Sequence, residues 1–92
     1  MFHITTRVAW EEAQAAGVYR ASSLDDVGFI HLSTAAQWRA TLERFFAGAR
    51  DLVLLEIDPR GLDIRFERAD GEDFPHLYGP LPVAAVVTVH SL

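Results

Sequence analysis

Apolar and polar positions along the chain change period several times, and each change marks an element. Met1–Phe2–His3–Ile4–Thr5 is a short extended run. Thr6 is placed to cap a helix from about Arg7 to Ala16. Arg7, Glu11 and Gln14 form its polar stripe, Ala9, Trp10, Ala13 and Ala16 lie largely opposite, and Gly17 is suited to end it. Val18 to Leu24 reads as an irregular connector, and Asp25, Asp26 and Gly28 as a tight turn before a second strand, Phe29–Ile30–His31–Leu32. Thr34 and Gln37 then make a capping box, followed by Ala35, Trp38, Leu42, Phe45 and Phe46 at helical spacing as far as Gly48.

Leu52 to Ile57 is apolar except for Glu56, the pattern of a central strand covered on both faces. Asp58–Pro59–Arg60–Gly61 is turn chemistry, Ile64 to Arg68 alternates as a half-exposed strand does, and Asp70–Gly71 turns again. Phe74 to Pro80 carries too much Pro and Gly for a regular element, and Val86 to His90 forms the last strand. The order of elements predicts a single α+β domain over residues 1–92 with two main helices.

Composition narrows the chemistry. Half of the 92 residues are apolar, enough for one hydrophobic core and too many for a disordered chain. No apolar stretch approaches the length of a membrane span, and Met1-Phe2-His3-Ile4 has no signal-peptide pattern, so a cytoplasmic protein without a membrane partner is expected. The absence of cysteine removes disulfides, thiolate catalysis and Cys-ligated metals. All eight basic residues are arginines, against thirteen acids and a net charge of −5. That balance disfavours broad nucleic-acid binding, and the lack of lysine excludes Schiff-base chemistry.

Alternation along strands puts His3 and Thr5 on one face of the first, and His31 and Ser33 on one face of the second. If Ile4, Ile30 and Leu32 pack against the helices and the strands are neighbours, these four polar side chains converge on a ligand floor. Against that reading, capping of the second helix would account for Ser33 and strand propensity for Thr5, whereas grouped imidazoles require partners. A second constellation is Glu72, His76 and Tyr78 in a Pro- and Gly-rich segment. A third is Tyr19 with Arg20: a ring that can stack and a fork that suits a phosphate or carboxylate. Trp10, Trp38, Phe45 and Phe46 read as core, Arg39 and Glu43 as a surface pair, and His90 as exposed and idle, while Glu56 needs a partner such as an arginine. No nucleophile elbow, P-loop, dinucleotide fingerprint or local metal-ligand spacing is present, and no metal is expected.

His3-Ile4-Thr5, Trp10, Gly17-Val18-Tyr19-Arg20, Gly28 to Thr34, Leu52 to Pro59 and Gly71 to Leu81 together resemble the bacterial family known as domain of unknown function 952. The resemblance implies an ADP-ribosyltransferase-like fold: a bent, split, mixed or antiparallel sheet around a cleft. It implies that His3 and Thr5 hold a ribose of NAD, and that His31-Leu32-Ser33 is similar to the His-x-Ser of the RNA 2′-phosphotransferase branch. Glu72 is the candidate for the glutamate that polarises the ribose.

The expected activity is therefore a cleft for a small nucleotide-like ligand, of NAD or ADP-ribose type, with transfer of an ADP-ribosyl group or a related step. His31, His76 and Glu72 are the catalytic candidates; His3, Thr5, Tyr19, Arg20, Ser33 and Tyr78 are the ligand-binding candidates. NAD enters as a substrate, and no resident cofactor is required. Two alternatives stand beside this: a non-catalytic binding or sensing module, and a metal-dependent hydrolase with histidine ligands. Three histidines aimed at one point favour the hydrolase, and histidines spread along a groove favour a nucleotide.

Overall fold

The computed structural model describes residues 1–92. Eight strands and three α-helices follow one another as β1 (Phe2–Thr6), α1 (Arg7–Ala16), β2 (Val18–Tyr19), α2 (Ser22–Val27), β3 (Ile30–His31), α3 (Trp38–Phe45), β4 (Leu52–Ile57), β5 (Ile64–Ala69), β6 (Glu72–Leu77), β7 (Leu81–Pro82) and β8 (Val86–Ser91), with a 3₁₀ turn at Val83–Ala85. The strands form three antiparallel ladders, β1-β4-β8, β2-β7 and β3-β6-β5. The architecture is thus α+β and antiparallel throughout, without the parallel pairing that a mixed sheet would contain.

Local chemistry sets most boundaries. The Thr6 side chain accepts from the Ala9 amide, and Gly17, at φ 83°, returns its N–H to Ala13 to close α1. Gly28 does the same for α2, at φ 88°, donating to Ser23 and Leu24. This short helix replaces the expected connector. At α3 half of the capping box forms: Gln37 Oε1 accepts from the Thr34 amide at 3.0 Å, while residues 35–37 make a turn and the helix proper starts at Trp38.

Strand β4 lies between β1 and β8 and separates two apolar layers. Val53, Leu55 and Ile57 point into the main core with Trp10, Ala13, Ile30, Leu32, Leu77 and Leu81. Leu52 and Leu54 point the other way and, with Ile4, pack under Trp38 and Leu42 of α3 and under Phe46, which follows it. Each such fully buried aliphatic side chain contributes about 1.5–3 kcal/mol. Ile4 therefore lies in a different layer from Ile30 and Leu32, not with them as the strand patterns suggested. Phe45 departs from the core expectation too: it is 61% exposed.

Strand β6 runs through Pro75, where no regular element was expected. The Pro75 carbonyl accepts from the Leu32 amide at 3.0 Å, so its ring nitrogen also faces β3. A ladder bond is missing there, and β3 stops at His31. Asp70 and Gly71, both at positive φ (51° and 86°), make the two-residue turn that joins β5 to β6.

Candidate functional site

One narrow contact decides what faces what. Phe2 and Ser33 exchange both backbone hydrogen bonds at 2.8 Å in an isolated antiparallel bridge. Residues opposite one another in such a pair point to the same side. Ser33, and with it His31, therefore shares a side with Phe2 and Ile4, while His3 and Thr5 share the core side with Leu32 and Ile30. The expected convergence of all four polar side chains does not occur.

His3 and Thr5 instead form a buried relay with Tyr19. His3 Nδ1 is 2.7 Å from the His31 carbonyl, its Nε2 is 2.8 Å from the Tyr19 hydroxyl, and that hydroxyl is 3.1 Å from Thr5 Oγ1. A carbonyl only accepts, so Nδ1 carries the proton. Burial depresses the His3 pKa to about 4, overriding the bond to the His31 carbonyl, so the ring is neutral. Nε2 then accepts from the Tyr19 hydroxyl, which also lies against Thr5 Oγ1. Burial also raises the Tyr19 pKa, so the phenol stays protonated. Tyr19 is thus a structural link and offers no face for stacking.

A cleft of about 440 Å³ opens on the other side of the bridge. Ile4, His31, Leu32 and Ser33 line its floor, together with part of His3. Thr41, Phe45 and Phe46 of α3 and its end form one wall; Ala69, Asp70, Phe74 and His76 of the β5–β6 hairpin form the other. Two polar clips tie the walls together. Arg44 reaches Asp70 at 3.5 Å, and Gln37 Nε2 donates to Glu72 Oε1 and the Asp73 carbonyl at 2.9 and 2.8 Å.

Strand β6 pairs His76 with His31, and their rings meet edge to face with centroids 5.5 Å apart. Phe29 stacks on His76 at 4.0 Å and also meets Tyr78 at 5.4 Å. His76 Nδ1 lies 2.9 Å from Glu67 Oε1, which also accepts from the Tyr78 hydroxyl at 2.5 Å. Those two bonds, Tyr78 first, hold the Glu67 carboxyl below its ordinary pKa, and the same bond raises that of Tyr78. The carboxylate can only accept, so the His76 proton sits on Nδ1. No buried side-chain nitrogen or oxygen lacks a partner, and His76 Nε2 has none, so it is reachable by solvent, and His76 lines the cleft. Burial, and then His76, lower the His31 pKa.

The structure thus brings His31, Ser33 and His76 to one cleft and ties Tyr78 to it through Glu67. It places Thr5 and Tyr19 beneath the cleft and His3 between them and its floor, which His3 lines in part. Arg20 pairs with Asp25 at 3.4 Å on the exposed side of α2, and Glu72 sits at the hairpin end on Gln37; neither lines the cleft. Glu67 and Phe29 were not singled out from the sequence. The Asp70–Gly71 turn was the signal for Glu67, because a two-residue loop pairs Arg65 with His76 and leaves Glu67 its diagonal neighbour. Elsewhere Glu56 finds His90 at 3.3 Å and not an arginine, and Arg39 lies over Trp38 at 5.0 Å and makes no ion pair with Glu43. No group of three His, Asp or Glu side chains is disposed to hold a metal ion.

Fold and cleft together define a small antiparallel α+β protein with a histidine-floored, phenylalanine-walled pocket. The family model described as "Protein of unknown function (DUF952)" matches residues 4–89, and the chain belongs to that family. The chain is similar to the X-ray crystal structure of protein CC0527 from Caulobacter crescentus, with 36% identity and a TM-score of 0.91 over 99% of this chain and 83% of that one. It is likewise similar to the solution NMR structure of CC0527, with 37% identity, a TM-score of 0.86 and coverage of 99% and 82%. Among curated proteins, none matches. No helix is long and apolar enough to cross a membrane.

Proposed function

We propose that the cleft between α3 and the β5–β6 hairpin binds a nucleotide of NAD or ADP-ribose type, in an ADP-ribosyltransferase-like fold, and transfers a group from it. The observation that carries this reading is the composition of one pocket: imidazoles and hydroxyls at the floor, phenylalanine rings on both walls. Phe45, Phe46 and Phe74 offer faces to a flat base or pyridine ring. His31, Ser33 and Thr41 offer hydrogen bonds to ribose hydroxyls. Arg44, in an exposed pair with Asp70 and lying over one face of Phe45 at 5.0 Å, is the cation at the mouth for a phosphate. A volume of about 440 Å³ suits a nucleoside-sized portion of such a ligand. In this reading His3, Thr5 and Tyr19 act from below, fixing the backbone that carries His31.

Acids stand at the groove, Asp70 on its lining and Glu67 behind His76, which favours a catalytic site over a purely binding one. The hydrolase alternative loses support because both His3 nitrogens are already engaged. A thermal-shift titration with NAD, ADP-ribose and zinc tests the reading. Nucleotide at 100 times its dissociation constant should add about 2.7 kcal/mol of stability. Failure of both nucleotides to shift the transition, or a shift that Phe45→Ala and Phe74→Ala leave unchanged, refutes it.

A further inference from the structure

The geometry points to His76, oriented by Glu67, as a general base whose Nε2 activates a hydroxyl-bearing acceptor, either water or an alcohol, for the group held in the cleft. This rests on the nucleotide reading and names the second substrate.

Three observations combine. First, His76 Nδ1 is 2.9 Å from Glu67 Oε1, so the carboxylate fixes one tautomer and one ring orientation. Second, Phe29 lies flat on the imidazole at 4.0 Å and 16°, and the ring is almost wholly buried, so it cannot turn away from the cleft. Third, the remaining nitrogen, Nε2, has no partner in the protein and is not sealed from solvent, and His76 lines the pocket. A carboxylate behind one imidazole nitrogen and a lone pair on the other, aimed into a ligand cleft, is the arrangement that removes a proton from an O–H nucleophile. Tyr78 donates to the same Glu67 oxygen and Arg65 lies 4.2 Å from the Tyr78 ring centroid, so the carboxylate is held from behind. Glu67 is a positioning residue; His76 is the catalytic one.

For a pyridinium N-riboside the step balances as follows. The acceptor proton passes to His76 Nε2 while the acceptor oxygen forms a bond to the ribose anomeric carbon. The bond from that carbon to the pyridinium nitrogen breaks, and its electron pair stays on the nitrogen, which leaves as a neutral pyridine. The imidazolium proton then passes to water.

The test uses the full chain. For the singly protonated ring, ¹⁵N NMR of the unliganded protein should place the His76 proton on Nδ1, and Glu67→Ala should move it toward Nε2 without unfolding the domain. Separately, NAD binding and release of its pyridine base are measured in water and with added glycerol as alcohol. The wild type should release base, while His76→Ala and Glu67→Ala bind NAD within about threefold and release it at least 100-fold more slowly. Glu67→Asp should restore part of the rate. An Nε2–H tautomer in the wild type, or binding without release in both acceptors, overturns the general-base assignment and leaves the nucleotide reading standing. Absence of NAD binding removes the nucleotide reading and with it this acceptor.

Discussion

His3 Nδ1 donates to the carbonyl of His31 across 2.7 Å, so a buried imidazole on β1 holds the backbone that presents a cleft imidazole on β3. The two histidines are coupled, and both reach the cleft floor, His3 only in part. Residue 3 is 9% exposed and has both nitrogens engaged, whereas residue 31 stands at the pocket floor.

That coupling gives His3 a defined effect on acid stability. Its pKa is about 4 when folded and 6.5 when free. Between these values the unfolded chain binds the extra proton, so stability falls as pH drops through this window and the His3 contribution is complete above 6.5. The shift corresponds to a loss on the order of 3 kcal/mol across the window. Urea unfolding from pH 4 to 7 should therefore show a steeper rise in the wild type than in His3→Gln. Parallel curves would show that the ring is not held neutral.

Tyr19→Phe keeps the buried ring and removes the hydroxyl between His3 and Thr5. It leaves His3 Nε2 without a donor, which should cost about 1–3 kcal/mol in urea unfolding. Nucleotide affinity should stay within a few-fold, since Tyr19 does not line the cleft. Complete loss of binding in a folded variant would contradict the placement of Tyr19 as a link.

Phe45 and Leu55 should separate pocket from core. Phe45 is 61% exposed, so Phe45→Ala should change stability by no more than about 0.5 kcal/mol. Its nucleotide affinity should nevertheless fall about tenfold, since stacking on a base is worth about 1–3 kcal/mol. Leu55 is fully buried, and Leu55→Ala should cost about 2–5 kcal/mol in the same unfolding measurement. Equal stability losses for the two would place Phe45 in the core after all.

Glu72→Gln tests the acid that the family resemblance singled out. Its contact is an exposed one to Gln37, so the substitution should leave stability within about 0.5 kcal/mol and nucleotide affinity within twofold. Isothermal titration checks this, and a tenfold loss would return Glu72 to the site.

Much of this protein is written locally. Thr6 and Gly17 bound α1 where the sequence indicates, because a cap hydroxyl and a left-handed glycine act within one helical turn. The apolar run Leu52–Ile57 requires cover on both faces, and β4 has it. The family signature is local as well, and it places His31, Ser33 and His76 among the residues of interest. The sequence alone did not determine which side of the sheet each of these faces. That follows from the Phe2–Ser33 bridge, a pairing across 31 positions, and a shift of one residue there would exchange every side chain between core and cleft. The same holds for Glu67 and His76, brought together by the hairpin through Pro75, a residue whose missing amide argues against a strand until β3 is seen to end beside it. Caps and periodicity depend on neighbours in the chain; strand register depends on partners in space, and only the folded structure supplies them.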